Sequence, residues 1–167
     1  LIETGIDLYK LSLQEKKDIL CSCIYGIDID IHAVEVAKFS LLIKLIEDET
    51  APSVSEVVPI LPDLGDNIQF GNSLVSQTEL NGISGANRQM MEIAPFDWST
   101  INNGCGFDVI IGNPPYVNTE GMHALLPSAE VEVYKKKYKT SHKQFDKYFI
   151  FIEQAINKIN ENGLVRY

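Results

Sequence analysis

The decapeptide FDVIIGNPPY, at residues 107–116, carries the strongest strand signal in the chain. Its first half is a run of apolar and β-branched residues, which is typical of a strand buried on both faces. Two successive prolines then end the strand, because proline fixes its own φ and biases the preceding residue away from helix. The decapeptide therefore predicts a buried strand followed by a stiff loop that presents Asn113, backbone carbonyl groups and the Tyr116 ring.

Three weaker strand signals accompany this one. Residues 23–28 (CIYGID) and 68–70 (IQF) predict two more buried strands, and residues 164–165 begin another. Alternation of such strands with helices predicts an α/β fold with one parallel sheet covered on both faces. Ligands of such sheets bind beyond the carboxyl ends of the strands. The residues expected to converge there are Asp28, Asn72 and Asn113.

Helical patterns separate the strands. The sequence SLQE at 12–15 has the form of a capping box and predicts a short helix to about Leu20. Asp30 is placed to cap a second helix from about His32 to Glu47. A third helix is predicted from Lys143 to Asn160, with Gly163 ending it. The apolar faces of the second and third helices are expected at Val34, Ala37, Leu41 and Leu45, and at Phe145, Phe149, Ile152, Ile156 and Ile159.

The whole chain, residues 1–167, is expected to form one partial domain. Residues 51–65 contain three prolines and are expected to form a loop. Residues 76–106 show no clear periodicity and predict a loop insertion, which is unusual inside a compact domain.

The composition excludes several classes of protein. Apolar residues make up 45% of the chain and charged residues 22%, which excludes a disordered or fibrous chain. No apolar run approaches the roughly 20 residues needed to span a bilayer. The first residues, LIETG, lack the basic start and apolar core that are typical of a signal peptide. The three cysteines and three histidines lack metal-ligand spacing, so we expect no metal site. A soluble cytoplasmic chain with reduced, buried thiols is expected.

The charge is unevenly distributed. The net charge of the chain is −9. Residues 134–147 hold six lysines and a single acid, so this segment has a net charge of +5 and the rest of the chain a net charge of −14. Tyr134, Tyr138 and Phe145 lie among these lysines. A basic segment with interleaved aromatic residues can contact phosphates even in an acidic chain. A solvated helix face is the alternative interpretation.

Four segments together resemble a known family: GIDID (26–30), GNSL (71–74), residues 107–117 and QFDKYF (144–149). They resemble the S-adenosylmethionine-dependent amino-group DNA methyltransferases, in particular the N6-adenine enzymes. The resemblance is closer still to the methyltransferase region of Eco57I-type restriction–modification enzymes and covers about residues 20–167. It implies a Rossmann-like sheet, and double-stranded DNA with a flipped adenine as the partner.

The resemblance also implies roles for individual residues. Asp28 would accept hydrogen bonds from the ribose hydroxyls of S-adenosylmethionine, and Ile29 would pack on its adenine. Asn72, with Ser73 beside it, would pair with the adenine amino edge. Asn113 and the carbonyl of Pro114 would accept the two hydrogens of the target amine, in the loop stiffened by Pro115, and Tyr116 would stack on the target base. The lysines that would contact DNA are Lys135, Lys136, Lys137, Lys139 and Lys143.

The chain departs from the family pattern before Asp28. No glycine-rich loop for the methionine end of the cofactor is found in residues 1–28, and we expect residues 1–167 to contain no target-recognition domain. In the family's sheet the strand before that loop is central, between the strands that end at Asp28 and Gly112. We therefore expect weak or absent S-adenosylmethionine binding by the isolated chain. We also expect that these two strands pair directly or that another chain fills the gap, with self-association through exposed strand edges.

Other functions remain open at this stage. The same loop chemistry serves methyltransferases that act on protein glutamine or on RNA guanine. A non-catalytic DNA-binding module on a methyltransferase fold is the alternative from a different class.

Overall fold

The computed structural model describes residues 2–5, 8–50 and 57–167. The chain divides into two compact units that meet in sequence between Phe70 and Gly71. Of the predicted loop at 51–65, residues 51–56 lie outside the described residues, and residues 57–65 form neither helix nor strand. Among the described residues no helix is long and apolar enough to cross a membrane.

The described residues of the first unit form two helices and two pairs of strands. Its elements are β1 (Ile2–Gly5), β2 (Leu8–Lys10), α1 (Leu13–Cys23), β3 (Gly26–Asp28), α2 (Ile31–Ile46) and β4 (Ile68–Phe70). β1 and β2 form an antiparallel pair that the sequence did not predict. β3 and β4 pair in parallel, with Asp28 opposite Phe70.

Both predicted helix caps are confirmed. Ser12 and Glu15 form the capping box of α1, and the Asp30 side chain accepts a 2.8 Å bond from the backbone N–H of His32 at the start of α2. α1 continues past the predicted end, to Cys23, so the predicted start of β3 was wrong. The buried amide of Asn67 bonds the carbonyls of Cys21 and Ile24 at 2.8 and 2.9 Å. The Asn67 amide therefore provides hydrogen-bond donors for carbonyl groups at the end of α1, although it lies 43 or more residues away in the sequence.

The core of the first unit lies between α1, α2 and β4. Val34 and Leu45 of α2 are buried, and Ala37 and Leu41 pack beside them, which confirms the predicted inner face. The remaining buried members of this core are Leu13, Leu20, Val57, Leu64 and Ile68.

The second unit is larger and mainly helical. Its elements are α3 (Gln77–Leu80), α4 (Ala86–Ile93), two 3-10 turns (Trp98–Thr100 and Asn102–Gly104), β5 (Phe107–Ile111), α5 (Thr119–Leu125), α6 (Ser128–Lys137), α7 (Lys147–Lys158) and β6 (Ile159–Arg166). β5 and β6 pair in parallel, with Val109 opposite Leu164.

The expectation of a loop insertion at 76–106 was wrong, because α3 and α4 lie there and place Leu80 and Ile93 in the core.

The third predicted helix, now α7, was also misplaced. It begins at Lys147 and ends at Lys158, and Gly163 lies within β6. Ile150 and Ala155 are buried, whereas Phe149 and Ile156 of the predicted inner stripe are 51% and 63% exposed. Ile150 packs in the same core as Tyr134 and Tyr138 of the neighbouring segment. The side of α7 that faces the core is therefore the one with Ile150 and Ala155, and Phe149 and Ile156 face outward.

The predicted single sheet is not present among the described strands. β3 pairs with β4 and β5 with β6, each as a parallel pair. Of the two alternatives expected for the strands ending near Asp28 and Gly112, direct pairing is not found among the described strands, and filling of the gap by another chain stays a prediction. The prediction that β5 is buried was wrong as well, since Val109 is 58% and Ile111 76% exposed. A strand is buried on both faces only when a layer covers each face. The parallel pairing itself and the mixed α/β character are confirmed.

The cysteines differ from expectation. Cys23 and Cys105 are exposed and Cys21 is half-buried, and all three are free thiols. Cys23 lies at the end of α1 and Cys105 in the loop before β5. The described part of the chain contains no cluster of three His, Cys, Asp or Glu side chains that could hold a metal ion.

Candidate functional site

The loop after β5 presents the predicted catalytic residues to solvent. Pro114 is buried and anchors the loop, whereas Asn113, Pro115 and Tyr116 are exposed. The backbone N–H of Gly112 still bonds the carbonyl of Arg166 at 3.1 Å, so the loop leaves the sheet immediately after the last strand bond. The Asn113 side chain is therefore free to meet a ligand beyond the carboxyl end of β5.

Tyr116 is supported on one ring face. Its ring stacks on that of Tyr148 in α7, with centroids 5.3 Å apart and planes 9° from parallel. Tyr116 is nevertheless 79% exposed, so the opposite ring face is open to solvent. Tyr148 contacts Tyr167 in turn, at a centroid distance of 6.4 Å. The QFDKYF motif thus supports the Tyr116 ring, a role for Tyr148 that the sequence did not reveal.

Hydrogen bonds fasten the end of this loop to the start of α7. The backbone N–H of Lys147 donates to the carbonyl of Val117 at 2.8 Å. The hydroxyl of Thr119 donates to the carbonyl of Phe145 at 2.9 Å and accepts from its N–H at 2.8 Å. A hollow of about 280 Å³ beside these bonds is lined by residues such as Thr119 and Phe149, and by none of the predicted catalytic side chains.

The loop after β4 is held closely by the rest of the second unit. A Cβ atom on Gly71 would lie 2.9 Å from the Cβ of Phe96, so only glycine fits there. The carbonyl of Ser73 accepts bonds from the indole of Trp98 at 2.8 Å and the amide of Gln154 at 3.1 Å. GNSL is therefore a rigid loop whose backbone carbonyls point into the protein.

Asn72 is buried, and its amide is bonded inside the protein. Its Nδ2 donates to Oε1 of Glu130 at 3.0 Å, and its Oδ1 accepts from the N–H of Leu74 at 3.1 Å. The predicted pairing of Asn72 with a cofactor stays a prediction. The structure places the amide against Glu130, a buried carboxylate that sequence reasoning missed.

Glu130 receives two further donors. The Tyr134 hydroxyl donates to its Oε1, and the Lys147 ammonium lies 3.4 Å from the same oxygen. Burial raises the pKa of Tyr134 well above its ordinary value, and the adjacent carboxylate raises it further. The phenol therefore stays protonated at neutral pH and remains a donor.

Asp28 and Ile29 lie in the first unit, at the end of β3. Both side chains are exposed, with Ile29 at 54%. One oxygen of Asp28 accepts the backbone N–H of Asp30 at 2.8 Å, which shapes the turn into α2. Both side chains are therefore open to a ligand, and the predicted roles of Asp28 and Ile29 towards a cofactor stay predictions.

The basic segment is not one exposed surface. Lys137 bonds the carbonyl of Leu74 at 2.9 Å and pairs with Glu79 at 2.8 Å. Lys135, Lys136, Lys139 and Lys143 are exposed. The interleaved aromatic residues Tyr134, Tyr138 and Phe145 are buried in the core and do not share the exposed surface of these lysines. Tyr134 and Tyr138 are four residues apart at the end of α6, so both face inward while Lys135 and Lys136 face solvent.

Comparison with known proteins gives consistent results. The Eco57I restriction-modification methylase family matches residues 22–167. The chain is 46% identical over 159 residues to the type II restriction enzyme and methyltransferase RM.Eco57I of Escherichia coli, across 95% of this chain and 15% of that protein. It is 35% identical over 57 residues to the type II methyltransferases M.PaeR7I of Pseudomonas aeruginosa and M.BstVI of Geobacillus stearothermophilus, across 34% of this chain and 9% of each relative. The chain spans only a small part of the length of these relatives. The chain belongs to the Eco57I restriction-modification methylase family.

Proposed function

We propose that the protein containing this chain transfers a methyl group from S-adenosylmethionine to the exocyclic N6 atom of adenine in a specific DNA sequence, within a bacterial restriction–modification system. The observation that carries the proposal is the exposed loop after β5, where Asn113 is free and Tyr116 offers one open ring face. The relatives that are named as restriction enzymes and methyltransferases support DNA as the substrate over protein or RNA.

The loop suits the chemistry of an aromatic amine. The lone pair of such a nitrogen is delocalised into the ring, which makes it a poor nucleophile. Asn113 Oδ1 and the Pro114 carbonyl would accept its two hydrogens, draw the nitrogen towards tetrahedral geometry and direct the lone pair outwards. The same two oxygens would stabilise the positive charge that develops on the nitrogen until a proton leaves to water.

Tyr116 fits a flipped base. A base inside a duplex cannot reach a loop of this kind, so the nucleotide must leave the stack. The open face of Tyr116 provides a stacking surface for it, and Tyr148 keeps the ring in place from the other side.

The fit to the cofactor is partial in this chain. S-adenosylmethionine, when bound, supplies the sulfonium methyl group. Asp28 would hold its ribose hydroxyls and Ile29 would cover its adenine, and both side chains are exposed for this purpose. Asn72 and Ser73 lie in the rigid GNSL loop, which would approach the adenine edge.

The test is methyl transfer by the full-length protein. DNA that lacks adenine methylation is incubated with the protein and methyl-labelled S-adenosylmethionine, then digested to nucleosides. We expect the label in N6-methyladenine, and label only in protein or RNA contradicts the proposal. Asn113→Ala is expected to lower kcat by about 100-fold. Asn87→Ala, an exposed asparagine on α4, is the matched control and should retain the rate.

A further inference from the structure

Glu130 is a buried carboxylate to which the transfer chemistry assigns no role. It is 3% exposed. Its Oε1 accepts from Nδ2 of Asn72 at 3.0 Å and from the Tyr134 hydroxyl, and it pairs with Lys147 at 3.4 Å. The Lys147 side chain is 14% exposed, so this pair is largely out of water. Three donors from three parts of the second unit therefore meet at one oxygen atom.

Two of these donors lie in or hold the loops that carry the proposed function. Asn72 lies in the GNSL loop, which is proposed to meet the cofactor. Lys147 also donates its backbone N–H to the carbonyl of Val117 at 2.8 Å, directly after Tyr116. Lys147 thus holds the end of the catalytic loop with its backbone and Glu130 with its side chain.

The carboxylate also determines how the Asn72 amide is oriented. A carboxylate can only accept hydrogen bonds, so the amide must turn its NH₂ group towards Glu130. The backbone N–H of Leu74 can only donate, and it donates to Oδ1 of Asn72 at 3.1 Å. Both neighbours select the same orientation, in which Asn72 retains, beyond these two bonds, one lone pair on Oδ1 as an acceptor and one further N–H on Nδ2 as a donor.

We propose that Glu130, through Lys147, is a positioning residue that couples the GNSL loop to the catalytic loop. It holds Asn72 ready to accept a hydrogen bond from an amino group of the cofactor and holds the Val117 carbonyl at the base of the catalytic loop. This inference rests on the proposed function. It requires that one side chain which touches neither substrate nor cofactor affects cofactor binding and turnover together.

The test is a double-mutant cycle in the full-length protein with Glu130→Gln, Lys147→Met and both together. S-adenosylhomocysteine binding is measured by calorimetry and methyl transfer by steady-state kinetics. We expect each single change to weaken binding and lower kcat by about tenfold. The double variant should be no worse than Lys147→Met alone, because it no longer holds an unpaired buried carboxylate. Glu132→Gln, two residues along α6 on the exposed side, is the matched control and should change neither quantity.

The outcomes separate this inference from the proposed function. If the unaltered protein transfers no methyl group to adenine, the proposed function fails, whereas the binding cycle still reports on the coupling. If the unaltered protein is active and the two single effects simply add, the coupling is refuted. A change in melting temperature with unaltered binding and kcat refutes it too, because Glu130 then serves stability alone.

Discussion

Tyr116 lies with one ring face on Tyr148 and the other open, and this arrangement makes a prediction for a single residue. Tyr148→Ala removes the support, so the Tyr116 ring gains freedom that must be lost again when a base stacks on it. Such a ring contact contributes about 0.5–1.5 kcal/mol. We expect kcat of methyl transfer by the full-length protein to fall about threefold to tenfold. Tyr148→Phe keeps the stacked ring and should retain the rate, and equal rates for Tyr148→Ala and the unaltered protein would contradict the prediction.

Glu153 predicts a pH-dependent contribution to stability. Burial raises the pKa of Glu153. The backbone N–H groups of Thr140 and Lys139 bond its carboxylate and lower the pKa by more, so the pKa lies below its ordinary value. A carboxylate whose pKa is lower in the folded state stabilises the fold at pH values above its unfolded pKa of about 4.3. This stabilisation is lost as the pH falls through the pKa of the folded state.

Glu153→Gln should therefore lower the free energy of unfolding at pH 7 by about 0.5–1 kcal/mol. The effect is small because solvent screens the charge of this partly exposed carboxylate. The difference between the two proteins should shrink as the pH is lowered from 5. Urea unfolding at a series of pH values measures it. A difference that stays constant down to the lowest pH at which both proteins fold would show that the charge of Glu153 makes no contribution.

At the scale of elements, α6 and the segment after it divide the lysines into two groups. Lys143 is exposed, whereas Lys137 is bonded to Leu74 and Glu79. Lys143→Ala in the full-length protein should weaken DNA binding and reduce the slope of log affinity against log salt by about 1. Lys137→Ala should leave that slope unchanged and lower the free energy of unfolding by about 1 kcal/mol. Fluorescence anisotropy at several salt concentrations, with urea unfolding, distinguishes them, and the reverse pattern would contradict the assignment.

One hydroxyl group, that of Thr119, makes two of the hydrogen bonds that join the catalytic loop to the start of α7. Thr119 both donates to and accepts from the backbone of Phe145. Thr119→Val keeps the shape but removes both bonds and leaves the Phe145 N–H unpaired. We expect a loss of about 1–2 kcal/mol in the free energy of unfolding and a lower kcat. Thr119→Ser keeps the hydroxyl and should recover most of both losses. If valine and serine behave alike, the two bonds do not position the loop.

At the scale of the whole molecule, apolar surface remains uncovered on the β5–β6 sheet. Val109 and Ile111 lie two residues apart on one face, and Leu164 is paired beside Val109 at 62% exposure. Among the described strands β5 pairs with β6 alone, so its second edge is open. Open edges and apolar faces promote association between chains.

The 167-residue chain should therefore self-associate, and the double change Val109→Thr with Ile111→Thr should reduce this association with little loss of stability. Light scattering and binding of an apolar dye measure the effect. Ile110→Thr, on the opposite and half-buried face, is the comparison and should destabilise the chain by about 1–2 kcal/mol. Unchanged scattering after the double substitution would show that this face is not the contact.

The sequence by itself determined the family, helices α1 and α2, strands β3 to β6 and their parallel pairing, because these depend mainly on local signals. The caps at Ser12 and Asp30 and the strand before Asn113 are read from residues within a few positions of one another. Only the tertiary structure decided which faces are buried and what each polar side chain bonds. Glu130 and Asn72 are 58 positions apart, and nothing in the residues around either one predicts that they meet. The outward turn of Phe149 and Ile156 has the same cause, since apolar periodicity identifies a helix face but the neighbouring core selects which face is buried.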